Sequence, residues 1–335
     1  MSQAVRWALL STANINKALI GPLRRAERSE LVAVASRDRE RAAAYASQHA
    51  IPKIYGSYAA LLADPEIDAI YLSLPNGLHA EWAVAALRAG KHVLCEKPLV
   101  VSMAEFEQVE AAARSSGATI FEAFMYLHHP QTRRALALVR SGQLGRLQLV
   151  NSWFNFHLPP ERAANVRLQA GLTGGSGWDV GVYPNSLSIT LIGEGAPVEV
   201  WAQQTVGESG VDVAMVAQLR FAGGAVAQIS SGFRTPFREG VYLTGERGLL
   251  QIPHPWKPGV GGQESVMTLT DLDNRSASIV TPPVDPYLCE IQAMEACVLD
   301  GAAPLVSLHD SRAFLRSMLA IYASARTGQP VRVGA

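Results

Sequence analysis

Cysteine is scarce in this chain: three occur in 335 residues, Cys95, Cys289 and Cys297, with no Cys-x-x-Cys pair among them. That excludes a disulfide framework and a thiolate metal site, and it suits a reducing compartment. An excess of charge of either sign is absent too, since 29 Lys and Arg face 29 Asp and Glu. Neither nucleic acid nor an anionic membrane surface is therefore favoured as a partner. No window approaches the ~18 uninterrupted apolar residues of a membrane helix. The apolar stretch near the N-terminus turns polar at Ser11-Thr12, too early for a signal peptide. A cytoplasmic location is the expectation. His, Cys, Asp and Glu show no metal-ligand spacing either, so no metal is expected.

What is present is apolar: 48% of residues are hydrophobic and 17% charged, enough for a large core and incompatible with disorder. The length exceeds twice the ~150-residue prior for one domain, so two domains are expected. Over residues 1–125, strand-like runs (Val5–Leu10, Leu31–Ser36, Ala69–Leu74, His92–Cys95, Thr119–Ala123) alternate with helical stretches (Ile15–Arg25, Asp38–His49, His79–Ala89, Met103–Ser115). Gly90 stands where a helix ends. This alternation predicts an α/β domain with a doubly wound parallel sheet. Over 126–335 one helix, Gln131–Ser141, precedes successive strands: Leu147–Phe156, Val198–Val206, Val211–Phe221, Ala225–Phe233, Val241–Thr244 and Val266–Thr270. Helices Asp285–Leu299 and Leu308–Arg326 follow. Short turns between strands predict an α+β domain with an open, mostly antiparallel sheet. The apolar alternation in Val211–Val216 and Val226–Ile229 suits a sheet-on-sheet dimer face.

The turn after the first strand of such a sheet is where a dinucleotide pyrophosphate meets a helix N-terminus. Its usual G-x-G-x-x-G fingerprint is missing; the chain reads Ser11-Thr12-Ala13-Asn14-Ile15-Asn16. A capped helix start is the plainer reading of that stretch alone. The second strand ends in Ser36-Arg37-Asp38. A cation and a hydroxyl there suit the 2′-phosphate of NADP, whereas NAD binders place an acidic residue for the ribose. The third strand closes at Leu74-Pro75-Asn76. The fourth ends in Glu96-Lys97-Pro98, at the carboxyl edge where parallel sheets bind ligands. A lysine held there can donate to a substrate oxygen or exchange a proton with it. In the second domain, Gly174-Gly175-Ser176-Gly177-Trp178-Asp179 leads to Tyr183-Pro184. On a helix Asp179 and Tyr183 would share a face, provided that Pro184 starts or kinks a segment. The glycines would admit a chain segment or a ligand closely.

Together these segments resemble the glucose–fructose oxidoreductase/inositol dehydrogenase (GFO/IDH/MocA) family over essentially the full length. The likeness is carried by Ser11–Ile15, Pro75-Asn76 with His79, Gly90–Pro98, Glu122–Tyr126 with His129-Pro130-Gln131, Asn165–Leu168 and Gly174–Pro184. Asp-x-Gly-x-Tyr-Pro is similar to the NADP-dependent sugar 1-dehydrogenases and the dimeric dihydrodiol dehydrogenases. The resemblance implies a Rossmann domain that binds NADP, with NAD as the alternative, and a hydride transfer to or from a carbinol carbon of a sugar or polyol. It implies cofactor contacts from Ser11, Thr12, Ala13, Asn14 and Ile15, from Ser36 and Arg37, and from Leu74, Pro75, Asn76, His79, Glu96 and Lys97. Substrate contacts are implied for Lys97, Tyr126, Arg167, Asp179 and Tyr183, with Tyr183 as the acid/base and Lys97 and Asp179 beside it in catalysis. A homodimer or higher oligomer through the second sheet is also implied. Trans-dihydrodiol oxidation, keto-sugar reduction and a non-catalytic NADP sensor are the rival functions. The chain departs from the family in the lost glycines, in Leu127 where many relatives carry Arg, and in Gly177-Trp178 before the aspartate.

Overall fold

The computed structural model describes residues 4–159, 161–162 and 164–334. The chain forms two compact units: residues up to Met125 joined by Tyr287–Ser311, and Tyr126–Pro286 joined by Arg312 onward.

The first unit alternates β1 (Val5–Leu9), α1 (Asn16–Arg25), β2 (Ser29–Ala35), α2 (Arg39–Gln48), β3 (Lys53–Tyr55), α3 (Tyr58–Leu62), β4 (Ala69–Leu72), α4 (His79–Arg88), β5 (His92–Cys95), α5 (Met103–Ser116) and β6 (Ile120–Glu122). The six strands lie in the order β3-β2-β1-β4-β5-β6, and every neighbouring pair is parallel. β4 is buried along its whole length, which is why it reads as an uninterrupted apolar run. Chain order reverses between β1 and β4, and the crevice at such a switch point is where open parallel sheets take ligands. Helix ends follow from local chemistry. The Asp38 side chain caps α2, the Ser102 hydroxyl caps α5 by accepting the Glu105 N–H while the Glu105 carboxylate accepts the Val101 N–H, and Gly90 takes φ 73° just past α4.

α6 (Met125–His128) links the two units in sequence. The second unit then runs through α7 (Pro130–Arg140), β7 (Leu147–His157), α8 (Val182–Ile192), β8 (Glu199–Val206), β9 (Asp212–Arg220), β10 (Val226–Gly232), β11 (Arg234–Gly245), β12 (Gly248–Ile252), β13 (Ser265–Asp271) and β14 (Ser276–Thr281). After α9 (Pro286–Asp300), which belongs to the first unit from Tyr287 on, come α10 (Leu308–Thr327) and β15 (Val331–Arg332). The nine strands are ordered β14-β13-β12-β11-β7-β10-β9-β8-β15, antiparallel except for β7 beside β10. α8 is buried on nearly every side, and its Ser186 and Ser188 hydroxyls donate to carbonyls one turn earlier.

Division of the chain at residue 125 put everything later into the second domain, yet Tyr287–Ser311 packs with the first. The buried Glu295 of α9 accepts from the Ser29 hydroxyl at 2.7 Å, and Ser311 donates to Glu122 at 2.8 Å. In the segments expected to form a dimer face, Val211, Val213, Met215 and Ile229 are buried, while Val216 (46% exposed) lies with Trp201 (39%) on the open face of that sheet. No helix of the described residues is long and apolar enough to cross a membrane.

Candidate active site

The turn from β1 to α1 manages without glycine because its backbone never needs a left-handed residue. Among the described non-glycine residues only Ala50, Thr173 and Asn274 have positive φ. Its geometry is fixed by side chains. The Ser11 hydroxyl lies 2.8 Å from that of Ser73, just past β4, and accepts the Ala13 N–H at 3.1 Å. Ser73 donates to Asn16 Oδ1 at 2.7 Å, and Asn16 Nδ2 donates to the Ser11 carbonyl at 2.8 Å. This buried triad ties β1 to β4 across the switch point. Ser11 therefore shapes the turn with a hydroxyl already bonded inside the protein, while Thr12, Ala13 and Ile15 are half-buried and Asn14 is exposed. Helix α1 begins at Asn16 without a side-chain cap, and the N–H groups of Asn16, Lys17 and Ala18 donate to the Ala13, Asn14 and Ile15 carbonyls at 2.9–3.2 Å.

At the end of β2, Ser36 is buried and accepts the Asp38 N–H at 3.2 Å. Arg37 is exposed. Asp38, the acidic residue nearest the strand end, accepts the N–H groups of Glu40 (2.9 Å) and Arg41 (3.2 Å) as the α2 cap. One oxygen of the Asp38 carboxylate, Oδ1, is thus engaged with the helix, and the Arg37 guanidinium is exposed beside Tyr58. Burial raises the Tyr58 phenol above its ordinary value, and the nearby Arg37 pulls it back.

Past β4, Leu74 and Pro75 lead into a single 3₁₀ turn, Asn76–Leu78, closed by the Leu78 N–H on the Pro75 carbonyl at 2.9 Å. His79, an expected cofactor contact, is completely buried. Its Nε2 lies 2.7 Å from the Leu74 carbonyl and its Nδ1 2.7 Å from the Pro98 carbonyl. Burial lowers its pKa, and the two carbonyls oppose that shift. At the end of β5, the Tyr71 hydroxyl donates to Glu96 Oε1, and Glu96 Oε2 accepts the Lys97 N–H at 3.3 Å. Lys97 is half-buried. Glu122, at the end of β6, accepts the Leu99 N–H at 2.9 Å and the Ser311 hydroxyl at 2.8 Å. Burial pushes its carboxyl up to about 7.

In the second unit the segment around Asp179 is a π turn, Gly177–Gly181, that runs into α8. Pro184, third in α8, has no N–H to give back to the preceding turn, and the wider π geometry accommodates that. The glycines before it admit protein rather than ligand. A Cβ on Gly175 would sit 2.1 Å from Asp212 Oδ1, and one on Gly177 would sit 2.5 Å from the Tyr322 hydroxyl. Asp212 gathers the Ser176 hydroxyl (2.7 Å), the Gly177 N–H (2.8 Å) and the Tyr322 hydroxyl (2.7 Å). Trp178 stacks on Tyr322 with ring centroids 5.1 Å apart, which accounts for the tryptophan before the aspartate.

Arg167 and Asp179 come together. Arg167 Nε donates to Asp179 Oδ2 at 2.6 Å, with the arginine side chain 43% and the aspartate 13% exposed. Asn165 caps the short 3₁₀ helix that presents Arg167. Tyr183 sits in an aromatic box with Tyr126, Phe154 and Trp256, at centroid distances of 5.7, 5.3 and 5.7 Å. Tyr126, an expected substrate contact, is fully buried, with its hydroxyl 2.8 Å from Ser186 Oγ and its ring against that of Tyr183. His129 caps α7 through Nδ1, and burial pushes His128 down to about 4. The sequence had left Ser73, Asn16, Asp212 and Tyr322 unmarked; a polar residue at an apolar strand end was the signal available for Ser73 and Asp212. Among the described residues no group of three or more His, Cys, Asp and Glu could hold a metal ion.

The chain is similar to known proteins in both units. Residues 5–124 match the oxidoreductase family with an NAD-binding Rossmann fold, and residues 132–251 match the GFO/IDH/MocA C-terminal domain. A D-xylose 1-dehydrogenase (NADP(+)) from Haloferax volcanii is 39% identical over 98% of this chain and 99% of its own. A trans-1,2-dihydrobenzene-1,2-diol dehydrogenase from Bos taurus is 33% identical over 76% of each chain. A 3-ketoreductase from Actinomadura kijaniata, solved with NADP and TDP-benzene, superposes with a TM-score of 0.89 at 29% identity, covering 96% of this chain and 98% of that one. The match in both units and over the whole length makes this chain a member of the GFO/IDH/MocA family of oxidoreductases.

Proposed function

We propose that the protein is an NADP(H)-dependent oxidoreductase acting on a carbinol or carbonyl carbon of a sugar or polyol, of the aldose 1-dehydrogenase type. The observation that carries this reading is the β2 end, where Arg37 is exposed while Asp38 Oδ1 is held in the α2 cap. It fits the NADP named for the Haloferax relative and seen in the Actinomadura structure. The residues present suit the dinucleotide. The β1–α1 turn with the small Ala13, at the positive end of α1, would take the pyrophosphate, Ser36 and Arg37 the 2′-phosphate, and Leu74, Pro75 and Asn76 would line the other side. When bound, the nicotinamide accepts or supplies the hydride.

The chain's own residues handle one proton and the orientation of the substrate. Tyr183 removes the hydroxyl proton during oxidation and returns it during reduction, its ring held by Tyr126, Phe154 and Trp256. Lys97 donates a hydrogen bond to the reacting oxygen and favours the anionic character that develops there. Asp179, bonded to Arg167, holds a neighbouring hydroxyl of the substrate. Such positioning is worth up to ~7–11 kcal/mol of barrier lowering. Dihydrodiol oxidation and keto-sugar reduction use the same residues and separate from aldose oxidation only by substrate.

A cytoplasmic enzyme fits the absence of disulfides among the described cysteines, and the open sheet face with Trp201 and Val216 fits a homodimer. The test is kinetic. Lys97→Met and Tyr183→Phe each lower kcat by about a hundredfold or more while NADPH still binds. Near-normal turnover in both variants removes the mechanism.

A further inference from the structure

Glu122 and His79 grip the two ends of one peptide group. Glu122 Oε1 accepts the Leu99 N–H at 2.9 Å, and His79 Nδ1 lies 2.7 Å from the Pro98 carbonyl. Both atoms belong to the Pro98–Leu99 peptide, one residue past Lys97. The grip reaches into four other parts of the first unit. Glu122 ends β6 and takes a second bond from Ser311, and His79 opens α4 and contacts the Leu74 carbonyl through Nε2. All of these side chains are buried. The lysine backbone is gripped from the other side as well, through its own N–H on Glu96, which Tyr71 holds in turn.

We propose that Glu122 and His79 form a peptide clamp that fixes the backbone carrying Lys97, so that both are positioning residues for the hydride transfer and neither contacts cofactor or substrate. The clamp has the right chemistry for that task. A carboxylate or a protonated carboxyl both present an oxygen to the Leu99 N–H, so the grip survives titration of Glu122. An imidazole with its proton on Nδ1 donates to Pro98, and a doubly protonated ring donates to Pro98 and Leu74 together. Pro98 itself contributes no N–H, so beyond the lysine's own carbonyl the next handles are the Pro98 carbonyl and the Leu99 N–H. A misplacement of about 1 Å at a reacting group costs about a hundredfold in rate.

The inference rests on the role given to Lys97 under the proposed function, and its test separates the two. Glu122→Leu removes the acceptor at similar volume; Glu122→Gln restores an oxygen to Leu99. Turnover in Glu122→Leu is expected to fall about 10- to 100-fold, with the NADPH dissociation constant within about threefold, and Glu122→Gln is expected to recover most of the loss. Adding Glu122→Leu to Lys97→Met lowers turnover no further, because the clamp acts through a lysine no longer present. Equal losses in the Leu and Gln variants, or additive losses in the double variant, overturn the clamp. Undiminished turnover in Lys97→Met alone overturns the reading of Lys97, whereas an inactive Lys97→Met beside an unaffected Glu122→Leu overturns the clamp only. Should Glu122→Leu not fold, His79→Phe carries the same comparison. Loss of fold in both assigns the pair to stability alone and overturns the proposal.

Discussion

Glu122→Gln should also change how stability depends on pH. In the folded protein burial holds the Glu122 carboxyl at about 7, against an ordinary value of 4.5. A carboxyl raised in this way keeps its proton in the folded state after the unfolded chain has lost it. It contributes stability that is fully present below about pH 4.5 and is lost as pH rises through 7. At ~1.36 kcal/mol per pH unit, the gap amounts to on the order of 3 kcal/mol. Glutamine cannot titrate, so the variant lacks this slope while its side chain can still accept from Leu99. His128, lowered to about 4, has the opposite slope, with stability lost as pH falls from about 6.5 towards 4. It is common to both proteins and cancels in their difference. The assay is thermal or urea unfolding of wild type and variant at pH 5 and pH 8, followed by a probe in the first unit. Relative to the variant, the wild type should lose about 2–3 kcal/mol between the two pH values, roughly 5–10 °C of midpoint. Parallel curves for the two proteins would refute the assignment of a buried, late-titrating carboxyl to Glu122.

Three further outcomes test other parts of the structure. Gly177→Ala places a methyl 2.5 Å from the Tyr322 hydroxyl and should destabilise the second unit by about 1–3 kcal/mol, measured by chemical denaturation. Asp212→Ala leaves the Ser176 hydroxyl, the Gly177 N–H and the Tyr322 hydroxyl without their shared acceptor and should cost about 3 kcal/mol or more by the same measurement. Arg37→Ala should raise KM for NADPH about 10- to 100-fold and leave KM for NADH nearly unchanged, since charge-assisted bonds to a phosphate account for about 1.5–3 kcal/mol.

Much of the first unit was legible because its strands are buried on both faces and announce themselves as apolar runs between helices. β3, with three residues, gave too little pattern to find. In the second unit, β9 alternates buried and exposed residues and was plain. β14 was missed because five of its six positions are at least half-exposed and carry Ser and Ala as readily as Ile and Val. The allegiance of α9 could not be read, since an amphipathic helix states that it has a partner without saying which.

At the site, Lys97, Arg37, Asp179 and Tyr183 stood out because their chemistry sits at strand ends and in a glycine-rich turn. Burial was the missing information. A phenol such as Tyr126 and an imidazole such as His79 look alike in sequence whether they face a ligand or brace a neighbour. The lost glycines looked like damage to a phosphate turn; the Ser11–Ser73–Asn16 triad and the ordinary backbone angles show a turn built another way.

The most direct test of the central claim is the rate at which the purified protein reduces NADP, and separately NAD, with a panel of aldoses, cyclic diols and polyols. Nicotinamide reduction with at least one carbinol substrate, faster with NADP than with NAD and lost in Tyr183→Phe, is the predicted result. Tight NADP binding with no turnover on any substrate of the panel, in either direction, would contradict it and favour a cofactor sensor.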